Sequence, residues 1–168
     1  PFNFNVTGIG RDDASELNQK QSKTTNTNDD ITIGIKYIAT TNSLNTATFF
    51  ADKTFLMWGN NNGSLSSTTK IIKDFSSGIA NLTSHVSVTP IARKWKLIVT
   101  DSVPAIKLSI PKYMVASTNS SNKDQYVMII ADDEAFTTNV TSATMEATNT
   151  ELEVDFYIEG TKYITFGT

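Results

Sequence analysis

The feature that most constrains the fold is the alternation of apolar and polar side chains with a period of two. In the segment ELEVDFYIEG (151–160), Leu152, Val154, Phe156 and Ile158 alternate with mostly acidic residues. Successive side chains of a β-strand point to opposite faces of a sheet, so this pattern predicts a strand with one buried and one solvated face. The same period recurs in FNFNVTGI (2–9), ITIGIKYIA (31–39), KWKLIVT (94–100) and AIKLSI (105–110).

Turn-forming residues separate these segments, and helical periodicity is not convincing anywhere. The count predicts roughly nine to eleven strands and an all-β fold, a two-sheet antiparallel β-sandwich of the jelly-roll-like or immunoglobulin-like kind. Two continuous apolar runs are expected to cross the middle of a sheet, buried on both faces: TFLMWG (54–59) and YVMII (126–130). No repeat or linker is visible, so residues 1–168 are predicted to form one module, excised from a longer protein.

Composition narrows the function classes. Charged residues make up 18% of the 168 residues and the formal net charge is -3, too mild a field to capture nucleic acid electrostatically. The chain has no cysteine, which excludes disulfides, thiolate metal sites and a cysteine nucleophile. The sequence contains no apolar run of the roughly 18 residues that spanning a bilayer requires, so direct membrane insertion is not expected.

The phrase GIGRDD opens a segment with few apolar residues and is predicted to be a structural corner. Gly8 or Gly10 is expected to adopt a positive φ, which glycine reaches without steric cost. Asp13 is expected to be the N-cap of a single helical turn, and Asp12 or Asp13 to accept backbone hydrogen bonds there. The polar residues after Leu17 are expected to form an edge strand that pairs with residues 31–38.

Acidic clusters offer two chemical alternatives. Calcium takes six to eight oxygen ligands, so two clusters meeting in space would form a site. The candidate metal ligands are Asp12, Asp13, Asp132 and Asp133. A facing carboxylate pair would instead suit glycoside hydrolysis, and turn formation is the commoner role of such residues. No cofactor is expected, with calcium left open.

Aromatic and amide side chains are the candidates for binding a sugar. Trp58, followed by Asn60, Asn61 and Asn62 in WGNNNG, is the candidate ligand-binding set, although both tryptophans also fit a core. The single histidine, His85, lies in an alternating pattern and is expected to be structural.

A second corner residue is predicted from the phrase IARKWKLIVT. Arg93 falls on the same face as Trp95, and a charge on that face must be paired or lie at the sheet margin. Arg93 is therefore expected to bind a carbonyl or carboxylate oxygen, with Asp12 or Asp13 as the suggested carboxylate partner. Arg11 belongs to the same predicted corner.

Several phrases in order resemble a known type of domain. They are VTGIGRDDASELNQKQSKTTN, ITIGIKYIATTN, FFADKTFLMWGNNNGS, IARKWKLIVTDSVPAIKLSI, YVMIIADDEAF and KYITFG. They look like an uncharacterised β-sandwich domain of large Bacteroidota cell-surface and secreted proteins, which often follows a concanavalin A-like lectin domain in chains with a type IX secretion tail. That resemblance implies an extracellular location and no established catalytic residues. The phrase ADDEAF departs from the acidic turn that is frequent in that domain, which counts against a cation site at Asp132 and Asp133. The tripeptide DSV (101–103) resembles an O-glycosylation sequon of such bacteria, with Ser102 as the candidate residue.

The residues and the resemblance together suggest a non-enzymatic structural or adhesive module of a bacterial surface protein, acting as stalk, spacer or contact surface. Its expected partners are neighbouring domains of the same polypeptide, surface polysaccharide or other subunits, and not nucleic acid. A carbohydrate-binding module is the alternative. A glycoside-active enzyme domain is the third interpretation.

Overall fold

The structure is a computed structural model that describes residues 1–66, 68, 88–115 and 126–168, so His85 lies outside the described residues. These ranges contain twelve strands and three short 3-10 turns. The strands are β1 (Phe4–Asp12), β2 (Leu17–Gln19), β3 (Gln21–Lys23), β4 (Thr32–Ile35), β5 (Thr54–Asn60), β6 (Trp95–Val99), β7 (Ile106–Pro111), β8 (Val127–Ala131), β9 (Thr141–Thr144), β10 (Glu146–Ala147), β11 (Glu151–Phe156) and β12 (Thr161–Gly167). In the part of the chain just defined, no helix has the length and apolar character needed to cross a bilayer.

The strands form two antiparallel sheets. The seven-stranded sheet has the order β2-β1-β5-β6-β12-β8-β9, and the five-stranded sheet has the order β10-β11-β7-β4-β3. The predicted all-β, two-sheet antiparallel sandwich is confirmed. The described residues hold more strands than the expected nine to eleven because several edge strands are only two or three residues long.

The core lies between the sheets and follows the alternation in the sequence. Ile31, Ile33 and Ile35 lead into and along β4 and are fully buried, and Trp95 and Leu97 of β6 face them from the other sheet. All four apolar residues of the ELEVDFYIEG pattern are also buried. Burial of this kind stabilises a fold by about 1.5–3 kcal/mol for each large apolar side chain, so this interface carries most of the stability.

The first strand departs from the predicted pattern. Phe4 and Val6, expected on the buried face, are 42% and 53% exposed, whereas Ile9 is buried. The pairing of β1 with β5 shifts between Phe4 and Thr7, and Asn5 lies there with a φ of 52°. A bulge inserts one residue and exchanges the faces that follow it, so Ile9 points into the core and Val6 points away from it.

The two apolar runs also behave differently from each other. Residues 127–129 of β8 are buried on both faces, because a second cluster formed by Val88, Phe136 and their neighbours covers the outer face there. The outer face of β5 is not covered in the same way, and Met57 is 42% exposed. The expectation of two-sided burial is therefore confirmed for β8 and wrong for Met57.

Two segments cross from the edge of one sheet to the edge of the other. Residues 17–23, the polar crossing, form β2 at the edge of the larger sheet and then β3 at the edge of the smaller sheet. Residues 141–147, the apolar crossing, do the same on the opposite flank as β9 and β10. Each flank of the sandwich is thus closed by one continuous segment.

Strand directions place both described chain ends together. β1 and β12 run antiparallel with β5 and β6 between them, so β1 begins at the end of the sheet where β12 finishes. The rings of Phe2 and Tyr163 meet there with centroids 5.3 Å apart. We call this the near end. The opposite or far end carries residues 11–16, 52–54 and 100–105.

Candidate functional site

The predicted corner is present at the far end, with Asp12 rather than Asp13 as its N-cap. The Asp12 carboxylate accepts hydrogen bonds from the backbone N–H groups of Ala14 and Ser15, at 3.0 and 3.3 Å. Glu16 then takes a left-handed conformation, and the chain reverses into β2. The expectation that Asp13 caps the turn is wrong by one residue, because Asp12 is the last extended residue before it.

Ion pairs fasten the corner to its surroundings. Arg11 donates two hydrogen bonds to the Asp13 carboxylate at 2.7 and 2.8 Å, and Lys53 pairs with Asp12 at 2.5 Å. The Asp13 backbone N–H donates to Asp52 at 2.7 Å. The hydrogen bond from Lys53 lowers the pKa of Asp12, and the hydrogen bond from Arg11 lowers the pKa of Asp13.

The glycines of this phrase have a different role from the one predicted. Gly8 and Gly10 lie inside β1, and the positive-φ glycine among the described residues is Gly160. A Cβ on Gly8 would lie 2.2 Å from the Met57 sulfur, and one on Gly10 would lie 2.4 Å from the Phe55 ring. The expectation of positive φ is therefore wrong. The glycines make room for β5 side chains that lie across β1.

The second acidic pair organises the loop before β9. Asp133 accepts hydrogen bonds from the backbone N–H groups of Ala135, Thr137 and Thr138 at 3.1, 2.9 and 2.6 Å. These bonds, led by that from Thr137, lower the pKa of Asp133 to about 2. Asp132 pairs with Lys162, and that hydrogen bond lowers the pKa of Asp132.

The two candidate metal pairs do not come together. β5, β6 and β12 lie between β1, which ends at Asp12, and β8, which ends beside Asp132, a separation of about 19 Å across four strand spacings. In residues 1–66, 68, 88–115 and 126–168, no group of three or more His, Cys, Asp or Glu side chains is placed to hold a metal ion. At this separation, Asp12 and Asp13 cannot share one metal ion with Asp132 and Asp133, so the predicted shared site is wrong.

The near end contains a buried carboxylate, that of Asp30, which belongs to one of the acidic pairs of the sequence. Asp30 is 1% exposed and accepts hydrogen bonds from Trp95 Nε1 at 2.6 Å and from the Ile31 backbone N–H at 2.8 Å. Its second oxygen accepts from Asn60 Nδ2 at 3.2 Å. Burial raises the pKa of Asp30, while the bond from Trp95 opposes that rise. The network joins β4, β5 and β6 at one end of the core.

Two residues of the candidate sugar-binding set, Trp58 and Asn60, are buried in the fold. Trp58 is 1% exposed and Asn60 is fully buried, so neither side chain can stack on or bond to a surface ligand. Asn61 Oδ1 accepts from the Gly63 and Lys94 backbone N–H groups, both at 3.0 Å. Asn62 is exposed, with a φ of 53°. Trp58 is thus part of the core, the Asn60 and Asn61 side chains hold the 60–63 turn, and Asn62 is the exposed member of the predicted set.

Arg93 lies at the margin of the sheet, as predicted. Its guanidinium donates to the carbonyl oxygens of Gly63 and Asp29 at 2.9 and 3.0 Å, which confirms a carbonyl partner. The suggestion of Asp12 or Asp13 is wrong, because Arg93 precedes β6 at the near end and those carboxylates lie at the far end. Arg93 and Arg11 therefore hold opposite ends of the molecule.

Ser102, the candidate glycosylation residue, is exposed in the loop that follows β6 at the far end. Its backbone N–H donates to the Asp101 carboxylate at 2.7 Å, and Val103 beside it is buried. The hydroxyl is thus accessible on a loop whose backbone is anchored, and its modification stays a prediction.

A surface feature that sequence reasoning missed lies along the polar crossing. A groove of about 780 Å³, the flank groove, is lined by residues 19 and 21–26, by Val6 and Thr7 of β1, by Thr32 of β4 and by residues 38–42. The scarcity of apolar residues from 18 to 30 was its signal in the sequence. The local pattern predicts only an edge strand there, because the side-chain hydrogen bonds that join Gln21 to Ala39 and Asn42 to Lys20 depend on the tertiary fold.

These features define an all-β sandwich domain with two anchored ends and one open polar flank. A family model described as "Domain of unknown function (DUF8202)" matches residues 1–161, and the chain belongs to this family. The match ends where β12 begins. Comparison with curated proteins returned no match, and comparison with solved structures returned none either.

Proposed function

We propose that this domain is a non-enzymatic adhesive module of a bacterial cell-surface or secreted protein, displayed outside the cell. The observation that carries the proposal is the position of the chain ends. Because β1 begins and β12 finishes at the near end, any chain joined to either terminus leaves from the same side. A domain joined in this way projects from its protein, which suits a contact surface better than an in-line spacer.

The chemistry of the acidic residues supports the same proposal. Asp12 and Asp133 accept backbone hydrogen bonds that hold turns, and Asp13 and Asp132 pair with Arg11 and Lys162. Each carboxylate is thus occupied in holding a loop. The extracellular setting and the bacterial surface protein rest on the resemblance of the sequence and not on these contacts.

The placement of the ends makes the test direct. The start of β1 and the end of β12 are separated by about 14 Å, which is three strand spacings. A linker of about six Gly and Ser residues can bridge that distance. Replacing the whole domain by such a linker in the protein that carries it should leave secretion of that protein unchanged. Attachment of the cells to polysaccharide-coated surfaces should fall.

A parallel turnover screen on polysaccharides, esters and peptides should find no activity. Unchanged attachment after excision would overturn the adhesive proposal. Specific hydrolysis that is lost in Asp132→Asn or Asp12→Asn would overturn the non-enzymatic part.

A further inference from the structure

The flank groove has an unusual chemical composition for a cavity of its size. Ligand pockets of 300–1,000 Å³ are mostly apolar, with a few polar groups. Of the fifteen residues that line the groove, eleven are Thr, Ser, Asn or Gln, and Lys23 is the single charged one. No aromatic or acidic side chain is among these fifteen. Such a lining offers many neutral donors and acceptors and no carboxylate ligand for a divalent cation.

The walls of the groove are held in place by their own hydrogen bonds. Gln21 accepts from the Ala39 backbone N–H and donates to the Ala39 carbonyl, both at 2.7 Å, so its side chain acts as one more rung of β-pairing. Asn42 Oδ1 accepts from the Lys20 backbone N–H at 2.6 Å. Thr7 and Ser22 bond to each other at 2.8 Å and join the two sheets. Fixed walls lower the entropy cost of binding a ligand.

Other polar groups of the lining are left open. Among the described residues, the side chains of Lys23, Thr32 and Thr40 make no hydrogen bond or ion pair with the protein. They come from three separate elements, β3, β4 and the segment after β4. The groove therefore combines a fixed frame with unused hydroxyl and ammonium donors spread along its length.

We propose that the flank groove binds an oligosaccharide chain. Sugar hydroxyls both donate and accept hydrogen bonds, which matches the Thr, Asn and Gln lining, and Lys23 would contact a hydroxyl or carboxylate oxygen of the ligand. The side chains that contact the ligand are those of Lys23, Thr32 and Thr40. This inference rests on the proposed adhesive function, for which it names the ligand class.

The test uses the full chain and three probes: laminarihexaose, xylohexaose and hexagalacturonate. In 15N-labelled protein, at least one probe should shift the amide resonances of residues 19–26 and 38–42. Thr32→Val and Lys23→Gln should each weaken binding of that probe by about 2- to 10-fold, the loss expected for one hydrogen bond. Thr141→Val, on the opposite flank, is the matched control and should bind normally.

Absence of any shift with all three probes would overturn the inference. Shifts confined to another surface, or unchanged affinity in both groove variants, would overturn it too. The outcome is separable from that of the excision experiment. If excision abolishes attachment while the groove variants still attach and bind normally, the adhesive function stands and the groove is not its site.

Discussion

The polar crossing and the apolar crossing occupy equivalent positions on opposite flanks, yet they are built from different side chains. Both are entered through a turn held by a carboxylate that accepts backbone N–H bonds, Asp12 in one and Asp133 in the other. Both then run along an edge of the larger sheet and continue along an edge of the smaller sheet. The residue at the point of crossing is Lys20 on one flank and Met145 on the other.

Those two residues close their flanks by different physics. Met145 is 4% exposed and belongs to the main core, so the apolar crossing is held by burial. The Lys20 ammonium instead donates to the Asn45 carbonyl, and the Lys20 backbone N–H donates to Asn42. A flank closed by hydrogen bonds can leave room for a polar groove, whereas a flank closed by packing cannot. The flank with the apolar crossing therefore contributes to the core, whereas the flank with the polar crossing carries the groove.

The largest effect is expected from removing the strand that connects the two flanks. β12 lies between β6 and β8, and its Ile164 and Phe166 are fully buried. Deleting residues 162–168 should therefore leave a chain that does not fold cooperatively, measured by circular dichroism and urea unfolding. Deleting Thr168 alone is the control and should fold. A folded protein that lacks residues 162–168 would show that the flanks are independent.

On the apolar crossing, Met145→Ala should destabilise the domain by about 2–5 kcal/mol, since it removes a buried side chain from the core. Leu17→Ala on the polar crossing is the matched change, because Leu17 is 40% exposed. It should cost less than about 1 kcal/mol, in line with other surface substitutions. Urea unfolding measures both. Equal losses would remove the distinction between the flanks.

On the polar crossing, Asn42→Ala should cost about 1–3 kcal/mol, the penalty for leaving partly buried hydrogen-bonding groups without partners. Asn42 accepts from the Lys20 and Gln21 backbone N–H groups and donates to the Asn18 carbonyl. Asn42→Asp keeps the acceptor and should recover part of the loss. Ser43→Ala, an exposed neighbour, serves as the control in thermal melts. A melting temperature that does not change in Asn42→Ala would contradict closure by hydrogen bonds.

The smallest effect is expected from the turn that leads into the apolar crossing, and it depends on pH. The pKa of Asp133 falls from 3.8 to about 2 in the folded protein. Its contribution to stability is therefore present above pH 3.8 and is lost as the pH falls toward 2. Asp133→Asn should flatten the dependence of the melting temperature on pH in that window. The same slope in the wild-type and variant proteins would show that other carboxylates dominate.

The contribution of Asp30 to stability changes with pH in the opposite direction to that of Asp133. Burial raises the pKa of Asp30 above 3.8, so its charged form opposes folding. The stability that protonated Asp30 contributes is fully present below pH 3.8. It is lost as the pH rises through the raised pKa of Asp30. An Asp30→Asn variant should lose less stability than the wild-type protein as the pH rises above 3.8. Melting curves collected at several pH values measure the difference. An equal loss in both proteins would contradict this sign.

Local alternation was sufficient to predict the fold class and most of the core. β4, β6 and β11 have the buried faces that their sequences indicate, because unbroken strands keep one phase. The β1 prediction failed at Asn5, where a bulge exchanges the faces. Bulges depend on the pairing strand, which no local pattern contains.

The candidate sites were harder to predict for a related reason. Asp12, Asn60 and Asp133 have the residue types of a binding site, but each carries out a structural task set by its neighbours in space. The sequence could show that Arg93 needed a partner near the sheet margin. It could not show which end of the sheet that was. The flank groove escaped notice because its lining comes from segments that only the tertiary fold brings together.

The interior position of β12 in the seven-stranded sheet also determines when the domain can fold. Until the last residues are available, β6 and β8 each have an edge without its final neighbour, and the sheet exists only as two separate parts. Pairings between distant segments form slowly because the chain must first close long loops. A chain emerging from the ribosome, N-terminus first, therefore completes its fold only after β12 has emerged. Before that moment the open edges of β6 and β8 are available to chaperones or to other copies of the chain.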